Sequence, residues 1–177
     1  MSLEAPTLET ARLRLRPYRL ADFDDYATMW ADPGVVRFIG GVPFNREISW
    51  TRFLRHVGMW RYMAFGYFAI QDRATGDFIG ECGFQDARRE LSPPLLGTLE
   101  AGWSLISSRH GQGLATEAMG AAIAWADAAH AGKRITCMID DDHIVSQRVA
   151  AKLGFLQFAA TTYGGKAVRL FERRRQP

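Results

Sequence analysis

The chain has 177 residues, 47% hydrophobic and 23% charged, enough for one sizeable core, so a single domain spanning 1–177 is expected. No stretch approaches the roughly 20 apolar residues of a membrane span and the start lacks a signal-peptide apolar region, which predicts a soluble, cytoplasmic monomer or homodimer with no membrane partner. A net charge of only +3, carried mostly by arginines spread along the chain, argues against nucleic acid as a partner, and the cluster Arg173, Arg174 and Arg175 reads as a solvated tail.

Leu13 and Leu15 alternate with Arg12, Arg14 and Arg16, the period-two pattern of a half-buried strand that Pro17 ends. Asp22 is placed to cap a helix running to about Ala31, stopped by Asp32, Pro33 and Gly34. After the loop 39–46 a second helix should carry Ile48, Phe53, Leu54 and Val57 toward a core. Strands are predicted at 66–71 and 77–85, joined by a hairpin at Asp72–Gly76. After the Ser92-Pro93-Pro94 break, 99–106 reads as a strand with Glu100, Gly102 and Ser104 on one face and Leu99, Ala101, Trp103 and Leu105 on the other. An Ala-rich helix from Ala115 to about His130 and a strand at 134–139 complete a βαβ unit. A helix over 146–153 ends at Gly154, followed by strands near 155–162 and 166–172 joined by Tyr163-Gly164-Gly165.

The segment Arg109-His110-Gly111-Gln112-Gly113-Leu114-Ala115-Thr116-Glu117-Ala118 lies between a strand and a helix. A helix start has unpaired N–H donors and about half a positive charge, and glycines let successive backbone N–H groups converge there, which favours a phosphate or pyrophosphate. A short Gly-x-Gly also makes ordinary tight turns. The segment lacks the Gly-Lys-Ser/Thr of a P-loop, and its strand comes too late in the chain to open a Rossmann unit.

Four segments together resemble the GNAT superfamily of acetyl-CoA-dependent N-acetyltransferases, in the branch typified by the RimJ/RimL ribosomal-protein N-terminal acetyltransferases. They are Glu9–Pro17 with Ala21-Asp22-Phe23; Asp77–Gly83; Glu100–Leu105 leading into Gly111–Ala118; and Ser146 leading to Lys152-Leu153-Gly154-Phe155. The resemblance implies an α/β (α+β) fold: one domain with a mixed, mostly antiparallel central sheet flanked by helices and a splayed strand pair at the cofactor site. It also implies acetyl-CoA as co-substrate, its pyrophosphate on the backbone of Gly111, Gln112, Gly113, Leu114 and Ala115 with Thr116 nearby. Trp103, Ser104 and Leu105 would offer the strand edge that pairs with the pantetheine amides. The chain departs from the family at His110, in the first position of the loop motif, and at His143, where the family usually has an asparagine that contacts the cofactor.

Acetyl transfer needs a neutral amine. Deprotonating a lysine of pKa about 10.4 costs roughly 4.6 kcal/mol at pH 7, whereas an α-amine near 7.8 costs only about 1 kcal/mol. Ser146 matches the serine proposed in this branch to protonate the leaving thiolate, and is equally a good helix cap. Glu100 is the candidate base, through water, with Glu81 as its competitor; either carboxylate could instead be solvated or ion-paired. Asp140, Asp141, Asp142 and His143 are too closely spaced to converge on one metal ion, so no metal is expected. His56 and His130 read as surface or helix-end residues. Trp50, Phe53, Trp60, Tyr62 and Phe65 read as core or as the wall of an acceptor cleft, Tyr163 as an exposed turn residue or an acid, and Cys82 and Cys137 as reduced, buried thiols. Two functions fit: acetyl transfer to a primary amine, at a protein N-terminus or on a small molecule, and acyl-CoA binding without turnover.

Overall fold

A computed structural model describes residues 5–173 of the chain, so Arg174 and Arg175 of the basic cluster lie outside the described residues. Eight strands form one sheet: β1 (Leu8–Glu9), β2 (Leu13–Arg16), β3 (Tyr67–Asp72), β4 (Phe78–Gln85), β5 (Leu99–Leu105), β6 (Ile135–Asp140), β7 (Phe155–Tyr163) and β8 (Lys166–Arg173). Their order is β1-β2-β3-β4-β5-β6-β8-β7, with β5 and β6 parallel and the other neighbours antiparallel. The fold is therefore the mostly antiparallel α/β sheet that the sequence predicts, with β1 as an edge strand too short to leave a pattern.

The helices are α1 (Phe23–Ala31), α2 (Pro33–Val36), α3 (Arg46–Met63), α4 (Leu114–Ala129) and α5 (Ile144–Lys152). On one face of the sheet, Leu114, Ala118, Met119, Ala122, Ile123 and Ala126 of α4 pack on Leu15, Phe68, Cys82, Phe84 and Ala101. Fully burying side chains such as Met119 and Ile123 contributes about 1.5–3 kcal/mol each. On the opposite face, Tyr26, Met29 and Trp30 of α1 and Phe53 of α3 cover Ala69 and Phe78.

Two local expectations are corrected. In α3 the buried residues are Ser49, Phe53, His56 and Trp60, spaced four, three and four apart, while Ile48, Leu54 and Val57 are exposed. That spacing lays one stripe along the helix, whereas the four apolar residues singled out in the sequence do not share a face. Asp22 does not cap α1 with its side chain. Its carboxylate instead accepts two bonds of 2.7 Å from the Arg16 guanidinium and one of 2.7 Å from the Arg19 N–H, all across a 3-10 turn at Leu20–Asp22.

The β5–β6 ladder is short. It pairs Leu99 with Ile135 and Glu100 with Thr136, next to a buried 2.8 Å hydrogen bond between Thr98 and Thr136, and then the strands part. From there β6 follows β8 through six paired residues, from Ile135 to Asp140. The side of β5 that faces β6 is left open beyond Glu100.

Arg16 and Asp22 are both buried and bidentately paired, so removing one partner strands the other charge. Arg16→Met should lower the unfolding free energy by about 3–5 kcal/mol, read as a lower urea midpoint with an unchanged m-value. A midpoint within experimental error of the parent would show that Asp22 is solvated in the folded protein.

Candidate active site

Past β5 the chain makes a 3-10 turn at Ser107–Arg109 and reaches α4 through Gly111 and Gly113, at φ 73° and 75°. A residue with a β-carbon pays roughly 1–2 kcal/mol for that left-handed conformation. At Gly111 no atom lies within 4 Å of an added β-carbon, so the backbone angle and not crowding calls for glycine. Gly113 occupies the position before α4, where no side chain caps the helix. The first N–H groups of α4 are thus left for an external acceptor. Glu117, in the first turn, would oppose an anion there, but its carboxylate is drawn away. It accepts from the Thr10 hydroxyl at 2.6 Å, the Arg12 N–H at 2.9 Å and Arg12 Nε at 2.7 Å. Arg12 also donates to the Gln112 carbonyl at 3.0 Å, which pins the loop to the start of β2.

The open edge of β5 begins beside this loop. The Leu99 N–H donates to the Arg134 carbonyl on the β6 side, and the Ile106 N–H to Ile79 on the β4 side. Peptide groups alternate in direction along a strand, so those of Trp103 and Leu105 face the opening while Ser104 pairs with Glu81 of β4. The Leu105 carbonyl is engaged by His110 Nε2 at 2.8 Å. Gly102 lies under the Tyr67 hydroxyl, which would be 2.0 Å from an added β-carbon.

A cavity of about 500 Å³ occupies the space between the parted strands. Of the residues singled out in the sequence, Glu81, Glu100, Trp103, Ser104, Cys137, Asp140, His143, Ser146 and Tyr163 line it. Leu105, His110 and the segment Gly111–Thr116 lie at the adjoining strand end, loop and helix start. Ser146 is buried in the first turn of α5, which starts at Ile144, so it is not the residue that caps the helix. His143 precedes the helix and stacks on Phe38, ring centroids 4.2 Å apart. Burial holds its imidazole below the usual histidine range, against the pull of Asp140.

The two carboxylates are held differently. Glu100 accepts from Arg89 Nε at 2.9 and 3.0 Å, pairs with Arg89 Nη2 at 2.8 Å and accepts from Gln85 at 3.0 Å. Glu81 is fully buried, accepting from the Tyr18 hydroxyl at 2.5 Å, lying 3.1 Å from His56 Nε2 and 3.5 Å from Arg52. Burial opposes its charge, but His56, Arg52 and the Tyr18 hydroxyl outweigh that and keep the carboxyl below the usual range. His56 is therefore no surface residue: it is 1% exposed and also 3.2 Å from the Tyr26 hydroxyl. Burial keeps it below its ordinary pKa in spite of Glu81. His130 sits at the end of α4, within 3.0 Å of the Ala64 carbonyl.

Phe53, Trp60 and Phe65 are core residues, while Trp50 and Tyr62 are exposed, and none of the five lines the cavity. Tyr163 stands at the cavity rim with Arg89 over its ring at 4.8 Å. Cys82 and Cys137 are both buried free thiols. Among the described residues no three His, Cys, Asp or Glu side chains converge to hold a metal, and no helix is long and apolar enough to cross a membrane.

Residues 12–156 match the acetyltransferase (GNAT) domain family. The chain belongs to that family. It is 28% identical over 153 residues to the uncharacterized N-acetyltransferase p20 of Bacillus licheniformis, covering 84% of this chain and 82% of that protein. A GnaT-family acetyltransferase from Bordetella pertussis has the same fold at a TM-score of 0.85 and 32% identity, over 96% of this chain and 100% of that one. RimL, the ribosomal L7/L12 α-N-protein acetyltransferase solved with coenzyme A, has a TM-score of 0.76 over 95% and 97% of the two chains. At 14% identity that last likeness is one of fold.

Several residues of this GNAT site leave no local trace in the sequence. Arg12 reaches the loop at Gln112 from 100 positions away, and Thr10 reaches Glu117 of α4 from 107. Arg89 comes from an irregular segment, and His56 and Arg52 come from a helix whose buried stripe is half polar.

The folded protein keeps His56 neutral, whereas the unfolded chain takes up a proton near pH 6.5. Stability should thus fall as pH drops from 7 toward 5, while the contribution of Glu81 is lost only at lower pH, as the solution falls through its depressed folded value. His56→Asn should make this slope shallower by as much as one proton, about 1.4 kcal/mol per pH unit, the half-buried His143 supplying part of the remainder. An unchanged slope in urea titrations at stepped pH would show that His56 is charged in the folded protein.

Proposed function

We propose that the chain is an N-acetyltransferase that moves the acetyl group of acetyl-CoA to a primary amine, a protein N-terminus or a small amine, as a soluble cytoplasmic monomer or homodimer. The observation that carries this reading is the meeting of an uncapped helix start, an open strand edge and a cavity at one place. RimL, with the same fold, was solved with coenzyme A. The left-handed glycines and the missing cap suit a pyrophosphate, and the open β5 edge suits an amide-bearing arm.

In this reading the backbone of Gly111, Gln112, Gly113, Leu114 and Ala115 holds the pyrophosphate, with Thr116 beside it. Trp103 offers both peptide groups to the pantetheine arm. Leu105 offers its N–H, since His110 already engages its carbonyl. Ser104 contributes through its side chain, its backbone being paired with Glu81. His143, stacked on Phe38, takes the place of the family's usual asparagine as an aromatic wall of the cavity. Acetyl-CoA supplies the electrophile: transfer forms an N–C bond, breaks the C–S bond and releases an amine proton and a thiolate.

Ser146 supports that chemistry as a donor. Its hydroxyl faces a cavity and is not needed as a helix cap, so it is free to hydrogen-bond the thiolate. Glu100, held in place by Arg89 and Gln85, serves as the base through water. An α-amine, with about 1 kcal/mol to overcome, asks little of such a base. Positioning of the two reactants then supplies most of the acceleration.

Acetyl-CoA should raise the melting temperature, and an amine panel should release free CoA. Gly113→Val should abolish the thermal shift, since a β-branched residue resists the φ of 75°. Ser146→Ala should cut turnover at least tenfold with acetyl-CoA affinity retained. A thermal shift without CoA release from any amine would leave an acyl-CoA-binding module, and no shift near a millimolar would remove both readings.

A further inference from the structure

Three arginines anchor buried ion pairs around the sheet, and they are not equally committed. Arg16 gives both terminal nitrogens to Asp22 at 2.7 Å, and Arg89 grips Glu100 at 2.8–3.0 Å. Arg52, on the wall of the cavity, comes no closer to Glu81 than 3.5 Å; its Nε, like that of Arg16, is buried with no hydrogen-bond partner among the described residues. Tyr18 and His56 approach Glu81 more closely, at 2.5 and 3.1 Å, so Arg52 balances its charge from a distance with one terminal nitrogen. A guanidinium carries five N–H donors in one plane, so Arg52 retains unused capacity.

That capacity is held in place. Trp30 lies under the guanidinium at 4.1 Å and Phe44 at 5.7 Å, a cation–π arrangement that fixes its plane and leaves its edge for an acceptor. The Nε1 of Trp30 and the hydroxyl of Ser49, one turn before Arg52 on α3, are also buried without partners. Neither of these two residues lines the cavity, so the donors turned to an acceptor there are those of Arg52 itself.

The charge of the cavity points the same way. Arg52, Arg55, Arg89 and Lys166 line it against Glu81, Glu100 and Asp140. Arg89 is spent on Glu100, and neither Arg55 nor Lys166 forms an ion pair among the described residues. A purely cationic acceptor such as a polyamine would meet excess positive charge.

We propose that the acceptor of this acetyltransferase carries a carboxylate close to its primary amine, and that Arg52, with Arg55 beside it, binds that carboxylate. This inference rests on the acetyl-transfer reading above. Glu81, which Arg52 touches, pairs in register with Ser104, and neighbouring strands lie about 4.8 Å apart. An acid bound at Arg52 thus sets its amine within a short span of the open β5 edge. The surplus cation also disfavours the ammonium form of that amine, which supplies the neutral nucleophile. Free α-amino acids and peptides with an acidic first residue share this chemistry.

The test is CoA release measured on matched acceptors: α-amino acids, their decarboxylated amines, spermidine, and peptides beginning with Asp, Ser or Lys. Carboxylate-bearing acceptors should exceed their carboxylate-free partners at least 30-fold in kcat/KM, and the peptide arm separates a free amino acid from an acidic N-terminus. Arg52→Gln should shrink that ratio at least tenfold, mainly through KM, with Arg52→Lys recovering part of it and the acetyl-CoA thermal shift retained in both. Binding of the N-acetylated amino acid, followed by calorimetry, should weaken in parallel, a readout independent of turnover. Equal turnover of the matched pairs, or an Arg52→Gln effect of the same size on both members, overturns the inference while leaving acetyl transfer intact. CoA release from no amine overturns acetyl transfer and the inference together.

Discussion

Along β6 the ladder with β8 runs the whole strand, while the ladder with β5 stops after Glu100, and the cavity exists because of that difference. A strand that loses its neighbour exposes N–H and C=O groups that must find partners, since unpaired buried peptide groups are costly. On β5 one such group, the Leu105 carbonyl, is met by His110, and the rest open on a cavity. The divergence also aims two helices at one place. Helix α4 starts just beyond the end of β5 and α5 just beyond the end of β6, so their N-termini flank the gap. A fully zipped β5–β6 pair would leave no room for ligand between the strands.

Around this opening, polar side chains are sorted by how completely they are satisfied. Asp22 and Glu100 are each clasped by an arginine, and Glu81 is fixed by a tyrosine and a histidine. Each is fixed in place, because breaking such pairs leaves buried charge uncompensated. Arg52 differs in that it borders the cavity with its carboxylate partner no closer than 3.5 Å, and Ser146 lines the same cavity.

The parts of this arrangement legible in the sequence are those encoded locally. Leu13 and Leu15 announce a strand by alternation, and Gly111 and Gly113 announce a strand-to-helix turn; both appear where expected. The splay that the family resemblance implies is present, where the β5–β6 ladder stops after Glu100. Reading fails where burial depends on distant residues. His56 looks like a surface histidine because nothing nearby in sequence explains a buried one; its partners Tyr26 and Glu81 come from α1 and β4. Ser146 looks like a cap because serine caps well, but the Gln147 N–H bonds to the His143 carbonyl and starts the helix earlier. The arginine opposite Glu100 arrives from an irregular loop, for which periodicity has no signal.

The clasp of Thr10 and Arg12 on Glu117 and Gln112 joins residues 100 to 107 positions apart in the chain. Closing so long a loop carries an entropic cost that local turns do not, so these contacts belong to the late stages of folding. The glycine turn before α4 can form early as a backbone conformation, but its anchorage waits for the first strands to dock. During synthesis the order is reversed, with Thr10 and Arg12 emerging long before the helix they hold. The glycine turn is thereby a reporter of completed folding: it is fastened only when the beginning of the chain and its middle have met.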